Sequence, residues 1–135
     1  MLDAKKQLTV GISGALAVAL GALGAHYLKN KMQAGLISAD ALSGFETAVK
    51  YHLFHTLALL AVLFMIKDRP SKILKRAFAF FFWGMVMFSG SLYLLCTRQL
   101  FNADWLKVLG PVTPFGGVLM IMGWLSIAWA GIKKS

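Results

Sequence analysis

Residues 43–64 read SGFETAVKYHLFHTLALLAVLF, and the second half of this stretch contains no Asp, Glu, Lys or Arg. A continuous apolar run of this kind, without alternation of polar and apolar residues, predicts a helix that crosses a lipid bilayer. The first three turns differ, since they carry Glu46, Lys50, His52 and His55. The stretch therefore predicts a membrane span with a cluster of polar and ionisable side chains at one end.

The rest of the chain has the same apolar character. Its 135 residues are 59% hydrophobic and their mean hydropathy is +0.70, whereas soluble domains are roughly half apolar. We predict one transmembrane domain covering residues 1–135, with helices at about residues 8–28, 44–66, 77–97 and 114–132. We do not expect strands, because the apolar runs are continuous and four strands cannot close a barrel. The predicted fold is an all-α integral membrane four-helix bundle.

Charge predicts the location and orientation of this bundle. The net charge is +9, but the 14 Lys and Arg residues lie between or beside the spans and form no long basic face. We therefore expect the lipid bilayer, and no nucleic acid, as the partner of these charges. The side with both termini and the 67–76 loop carries nine Lys and Arg, against five on the other side. The positive-inside rule then predicts a multi-pass protein of the cell inner (cytoplasmic) membrane with both termini in the cytoplasm.

Small residues predict where the helices pack. Ala17, Gly21 and Ala25 follow one another at steps of four and form a strip that another helix can approach closely. This strip can serve packing within the bundle or between copies, so a homo-oligomer is possible. In the fourth span, Gly116 and Gly117 allow a similar approach, after a helix start at which Thr113 caps and Pro114 takes the first position.

The polar start of the second span has a structural interpretation. Ser43 followed by Glu46 has the form of a capping box, in which each side chain bonds the other residue's backbone amide. Glu46 also precedes Lys50 by four residues, the favourable order for an ion pair on a helix. With the helix beginning at about residue 44, we expect these charges to stand among the lipid headgroups.

The three histidines are the main candidate site. His26 closes the first span, and His52 and His55 lie in the first turns of the second, so all three are predicted near the outer membrane surface. Ionisable groups in membrane segments often mark sites, here for a metal, a haem, a quinone or a proton, with Glu46 as a further candidate. A metal shell would also have to recruit groups such as Cys96 or Tyr93. The alternative is that neutral imidazoles simply hydrogen-bond the bundle together.

Enzymatic chemistry finds little support in the sequence. It contains no Ser, His and Asp series, no nucleotide-binding glycine loop and no suitably spaced carboxylate pair, which argues against a hydrolase or a kinase. No cofactor is identified, and the single Cys96 allows no internal disulfide. We expect a non-enzymatic role in interaction or membrane maintenance. The alternative is metal, haem or quinone binding, or small-solute transport, at His26, His52 and His55.

Four segments resemble a known family. They are GALGAH (21–26), FETAVKYHLFHTLALL (45–60), FSGSLYLL (88–95) and GPVTPFGGVLMIMGW (110–124). Together they resemble the YgdD-like family of small bacterial inner-membrane proteins, a domain of unknown function with a relative among eukaryotic transmembrane proteins. The resemblance implies a four-helix protein of the plasma membrane and supplies no reaction. Its motif positions here are Gly21, Gly24, His26, Glu46, Tyr51, His55, Ser89, Gly90, Thr113, Pro114, Gly116 and Gly117.

Overall fold

Four long helical rods make up the structure, a computed structural model that describes residues 1–133; Lys134 of the basic tail lies outside this range. The first rod consists of α1 (Ala4–Leu23), a π-helical segment (Gly24–Leu28) and α2 (Lys29–Gln33). The others are α3 (Ala39–Asp68), α4 (Lys72–Thr97) with a 3-10 segment (Arg98–Phe101), and a second 3-10 segment (Asp104–Leu109) followed by α5 (Val112–Ile132). All four rods are long and apolar enough to cross a membrane. The all-α membrane fold is thus confirmed.

The helices pack in the order α1, α3, α4, α5, each antiparallel to the next. Pairings along α1 and α3 run in opposite directions, since Gly14 lies beside Thr56 and Gly24 beside Phe45. The core lies where α3 packs against α4 and where the first rod packs against α3. Its most deeply buried large side chains are Phe45, Phe81, Leu28, Leu59, Leu63 and Val62. The central pair α3 and α4 therefore carries most of the core, with α1 and α5 on the outside.

Glycines bring the backbones of α4 and α5 into contact. A Cβ atom added to Gly116 would lie 2.4 Å from the backbone nitrogen of Phe88 and 2.8 Å from the carbonyl oxygen of Gly84. A Cβ on Gly123 would meet the Phe81 ring at 2.6 Å. Gly117 has more room, because its nearest neighbour atom would be 3.8 Å away. Such close approach is typical of membrane helix pairs, which pack through small residues because lipid supplies no hydrophobic drive.

The strip predicted on the first span is only partly used. Ala17 is buried and a Cβ on Gly21 would lie 3.3 Å from Val49, but Ala25 is exposed. The reason is geometric, because residues four apart drift by about 40° around a helix with 3.6 residues per turn. After Gly21 the contact with α3 continues instead at Gly24, three residues on. Within the bundle, the contact of the first span with α3 is therefore continued by Gly24, and packing at Ala25 stays a prediction.

The predicted capping box does not form, because α3 begins five residues before the expected start at residue 44. Ser38 is the N-cap, and its hydroxyl accepts a hydrogen bond of 3.0 Å from the Ala41 amide. Ser43 and Glu46 consequently lie inside the helix and are exposed. A serine followed by Ala39 and an acidic first turn at Asp40 is an equally good helix start, and it leaves a turn of only a few residues after Gln33.

The fourth helix also begins differently from the prediction. Val112 is its first residue after Pro111, and no side chain caps this end. The Thr113 hydroxyl, which we expected as the cap, instead lies 2.6 Å from the Ser91 hydroxyl of α4. A hydrogen bond between two neighbouring helices replaces a local one, which is a use of hydroxyl side chains common in membrane bundles.

Candidate functional site

The two histidines of α3 lie near its middle and not in its first turns. His52 and His55 follow the first residue, Ala39, by 13 and 16 positions, or roughly 20–24 Å of helix at 1.5 Å per residue. Both side chains are buried, with 8% and 6% of their surface exposed. The predicted placement near the outer surface was wrong, because it took residue 44 as the start of a helix that begins earlier. The site therefore lies deep in the bundle.

His52 joins three helices through its two ring nitrogens. Its Nε2 lies 3.1 Å from the Ser13 hydroxyl of α1, and its Nδ1 lies 2.9 Å from the Tyr93 hydroxyl of α4. The Ser13 hydroxyl also lies 2.6 Å from that of Thr56, one turn further along α3. Both hydroxyls lie 3.6 Å from the Met85 sulfur. One imidazole thus connects α1, α3 and α4 at the same level.

The number of hydrogens that each group can donate decides which atom donates and which accepts in each hydrogen bond around His52. The Thr56 hydroxyl donates to the His52 carbonyl oxygen at 2.8 Å, so its oxygen is left to accept from Ser13. Ser13 has then used its only hydrogen and must accept from the Nε2–H of His52. The Nδ1 of His52 is left as an acceptor for the Tyr93 hydroxyl. Every group is satisfied with His52 neutral and protonated on Nε2.

His55 has the opposite tautomer. Its Nδ1 lies 2.8 Å from the Tyr51 carbonyl oxygen, which can only accept. Its Nε2 lies 3.3 Å from the indole nitrogen of Trp124 in α5, which can only donate. His55 is therefore neutral and protonated on Nδ1, and it connects α3 to α5. Both nitrogens of both buried histidines have a protein partner.

The structure does not bring the other predicted site residues to this cluster. His26 is exposed on the π-helical segment, 13 positions along the first rod from Ser13, or about 20 Å along the axis. Glu46 is exposed as well, and Cys96 is buried in a separate apolar group with Phe45. Within residues 1–133 no three His, Cys, Asp or Glu side chains are placed to hold a metal. The three histidines do not share a coordination shell.

His52 lies in a groove between α1 and α4, which we call the lateral groove. Its volume is about 460 Å³ and its walls are mostly apolar. The polar side chains on it are Thr9, Ser13, His52, Ser89 and Tyr93, and its apolar walls include Ile12, Leu16, Leu20, Phe82, Met85 and Val86. Because both flanking helices are long and apolar enough to cross a membrane, we expect the groove to open sideways toward lipid tails. Ligand sites are commonly concave and apolar with a few polar groups, as here.

His55 lies on a different groove. That groove separates α3 from α5, has a volume of about 620 Å³, and is lined by residues including Tyr51, Phe54, Leu57 and Trp124. The imidazoles of His52 and His55 are three positions apart on one helix, yet each belongs to a different helix contact. In the part of the chain that the structure describes, His52 and His55 therefore line separate grooves.

Sequence reasoning missed Ser13, Met85 and Trp124 as members of the site. Ser13 could have been found, because it lies four positions before Ala17 on the strip that was predicted to pack. Met85 and Trp124 could not, because each is one apolar or aromatic residue among many in its helix. Only the relative rotation and height of the helices select them.

Comparison with known proteins identifies close relatives. The family described as "Protein of unknown function (DUF423)" matches residues 20–117. A Haemophilus influenzae protein, "UPF0382 membrane protein", is 39% identical over 130 residues, covering 96% of this chain and 95% of the relative. "UPF0382 membrane protein YwdK" of Bacillus subtilis is 40% identical over 124 residues (90% and 91%). "UPF0382 inner membrane protein YgdD" of Escherichia coli is 38% identical over 122 residues (90% and 85%). No solved structure matches the chain.

Proposed function

The chain belongs to the DUF423 family of membrane proteins, and we propose that it is a non-enzymatic protein that binds a lipophilic molecule in the lateral groove. The relatives confirm the resemblance to YgdD, and their names assign no reaction. One observation carries the proposal: a mostly apolar groove of about 460 Å³ has His52 and Tyr93 on its wall, deep in the bundle. Polar groups buried in a membrane are costly and usually functional.

The hydrogen bonds indicate which head group the ligand carries. The Tyr93 hydroxyl donates to His52, so its oxygen keeps a free lone pair for an incoming donor. A hydroxyl-bearing molecule with an apolar tail, such as a quinol, fits this arrangement. A haem or a metal fits less well, because it would need an imidazole nitrogen that Ser13, Tyr93, Tyr51 or Trp124 now occupies. The groove lies within one chain, so binding requires no oligomer.

A matched pair of glycine substitutions tests the lateral groove. Gly90 lines it and has no neighbour within 4 Å of an added Cβ, so Gly90→Leu fills the groove without a clash at the backbone. Gly11→Leu adds the same side chain at an exposed position of α1 that is equally free of neighbours. The probe is a benzoquinol with a decyl tail and a diazirine group. We expect saturable labelling of α1 and α4, reduced about tenfold by Gly90→Leu and unchanged by Gly11→Leu.

A second candidate is an interaction scaffold in which the polar network only fixes the helices. It is favoured by the complete internal pairing of His52 and His55. The same experiment separates the two, because a scaffold predicts no saturable labelling and no effect of Gly90→Leu. Equal labelling of the Gly90 and Gly11 variants would contradict the groove as the site.

We also propose that both termini face the cytoplasm of the inner membrane. The end of the bundle with the termini and the turn between α3 and α4 is the more basic one, as the positive-inside rule requires. In a Cys96→Ala background, we expect a membrane-impermeant maleimide to label Lys31→Cys in intact spheroplasts. Lys72→Cys is expected to react only after lysis. Labelling of Lys72→Cys in intact spheroplasts would contradict the orientation.

A further inference from the structure

One end of the bundle, which we call the basic end, carries unbalanced positive charge. It is formed by the start of α1, the end of α3, the start of α4 and the end of α5. Its cationic residues within the described chain are Lys5, Lys6, Lys67, Arg69, Lys72, Lys75, Arg76 and Lys133. Only two acids lie among them, and Asp3 is already paired with Lys6 at 2.7 Å. Among residues 1–133 this is the only ion pair at the basic end.

A cavity at the basic end combines cationic and apolar groups. Its volume is about 420 Å³, and it lies between the turn from α3 to α4 and the end of α5. Arg69 and Lys133 line it together with the apolar side chains of Met65, Ile73, Leu74, Ile127 and Ala130. Ser71, the N-cap of α4, lies on the same wall and accepts from the Ile73 amide at 3.2 Å. The positive end of the α4 dipole therefore faces this region together with the two side-chain cations.

A second cavity continues from the first along the surface of α4 and α5. Its volume is about 500 Å³, and it shares Ile73 and Lys133 with the first. Further along it are Phe80, Leu125 and Trp129, with Arg76 as another cation. Tryptophan is typical of the boundary between headgroups and hydrocarbon. The two cavities thus combine cations with an adjoining apolar surface, which is the combination that an anionic headgroup with an acyl chain requires.

We propose that the basic end binds one anionic phospholipid, with its phosphate between Arg69 and Lys133 and an acyl chain along α4 and α5 past Trp129. Charge complementarity selects an anionic occupant, because neither cation has an acidic partner within the described chain. The apolar continuation selects a lipid over a free anion. Basic pockets between membrane helices bind phospholipid headgroups by the same combination of charge and shape. This proposal does not depend on the lateral groove.

Lipid retention during native mass spectrometry tests the proposal. The protein is purified in mixed micelles of phosphatidylglycerol and phosphatidylcholine. After the micelle is removed in the mass spectrometer, the lipid molecules still bound to the protein are counted from the added mass. We expect wild type to retain phosphatidylglycerol. The double variant Arg69→Gln/Lys133→Gln is expected to retain about thirtyfold less, since two cations near the anionic group are removed. The matched control Lys29→Gln/Lys31→Gln removes the same charge at the other end and is expected to retain phosphatidylglycerol like wild type.

Three outcomes would overturn the proposal. Equal loss in both double variants would mean a general effect of net charge, and no loss in the Arg69 and Lys133 variant would exclude the cavity. Full displacement of the lipid by millimolar inorganic phosphate would mean that the site recognises phosphate without the acyl chain. Arg69, Lys133 and Lys29 are exposed and Lys31 is half-buried, so we expect unchanged helix content by circular dichroism in both variants.

Discussion

Replacing Gly116 with alanine is expected to lower the free energy of unfolding by about 3 kcal/mol, the upper end of what overpacking costs. The added Cβ would lie 2.4 Å from the Phe88 nitrogen and 2.8 Å from the Gly84 carbonyl oxygen. Both neighbours are backbone atoms, which cannot turn away as a side chain can. The α4 and α5 backbones must therefore move apart along their contact. Unfolding by sodium dodecyl sulfate from mild detergent, followed by circular dichroism, measures the loss.

Gly131→Ala is the matched control for this prediction. Gly131 lies in the same helix and has no neighbour within 4 Å of an added Cβ. Its substitution is expected to change stability by less than about 0.5 kcal/mol or to increase it slightly, because alanine favours helix over glycine. If both substitutions had the same effect, the close approach of α4 and α5 at Gly116 would be contradicted.

Replacing His52 with leucine is expected to cost about 2 kcal/mol of stability. The change removes the acceptor of the Tyr93 hydroxyl and the donor to Ser13, both in the buried network that joins α1, α3 and α4. Tyr93→Phe, which removes one hydrogen bond of the same network, is expected to cost less, about 0.6 kcal/mol, the average for a side-chain hydrogen bond between membrane helices. Detergent unfolding measures both changes.

Ser126→Ala provides the comparison for His52→Leu. The Ser126 hydroxyl bonds the Met122 carbonyl oxygen within its own helix and connects no second helix. We therefore expect its removal to change stability by less than about 0.5 kcal/mol. Nitrogen-15 spectra of the imidazoles give an independent check. They are expected to show His52 protonated on Nε2 and His55 on Nδ1, and the same tautomer for both would refute the hydrogen-bond directions.

The existence and number of the helices could be predicted from sequence because membrane spans need long apolar runs, which composition reveals directly. Their ends could not be predicted as well. Ser38 and Ser43 are both plausible caps, and the start at Ser38 accompanies burial of the preceding Ile37 in an apolar group with Phe45 of α3 and Cys96 of α4. Because α3 begins five residues earlier than predicted, His52 and His55 lie near the middle of this helix and not at the expected membrane surface.

The membership of the candidate site was only partly predictable. His52 and His55 stand out because ionisable residues are rare in apolar helices. Ser13 and Trp124 contact the two histidines, and Met85 contacts the Ser13 and Thr56 hydroxyls, only because of helix rotation and height. These depend on close contacts such as Gly14 with Thr56 and Gly116 with Phe88. His26 looked equivalent to the other two in sequence, yet it is exposed.

If the lateral groove opens sideways between membrane helices, the ligand proposed for it would arrive from the lipid and not from water. Its walls belong to α1 and α4, which are long and apolar enough to cross a membrane, so the proposed ligand would partition into the bilayer first and then diffuse in two dimensions. Occupancy accordingly follows the mole fraction of the compound among the surrounding lipids and not its aqueous concentration. Diluting the protein with additional lipid, at constant total ligand, would empty the groove even though nothing in the water had changed.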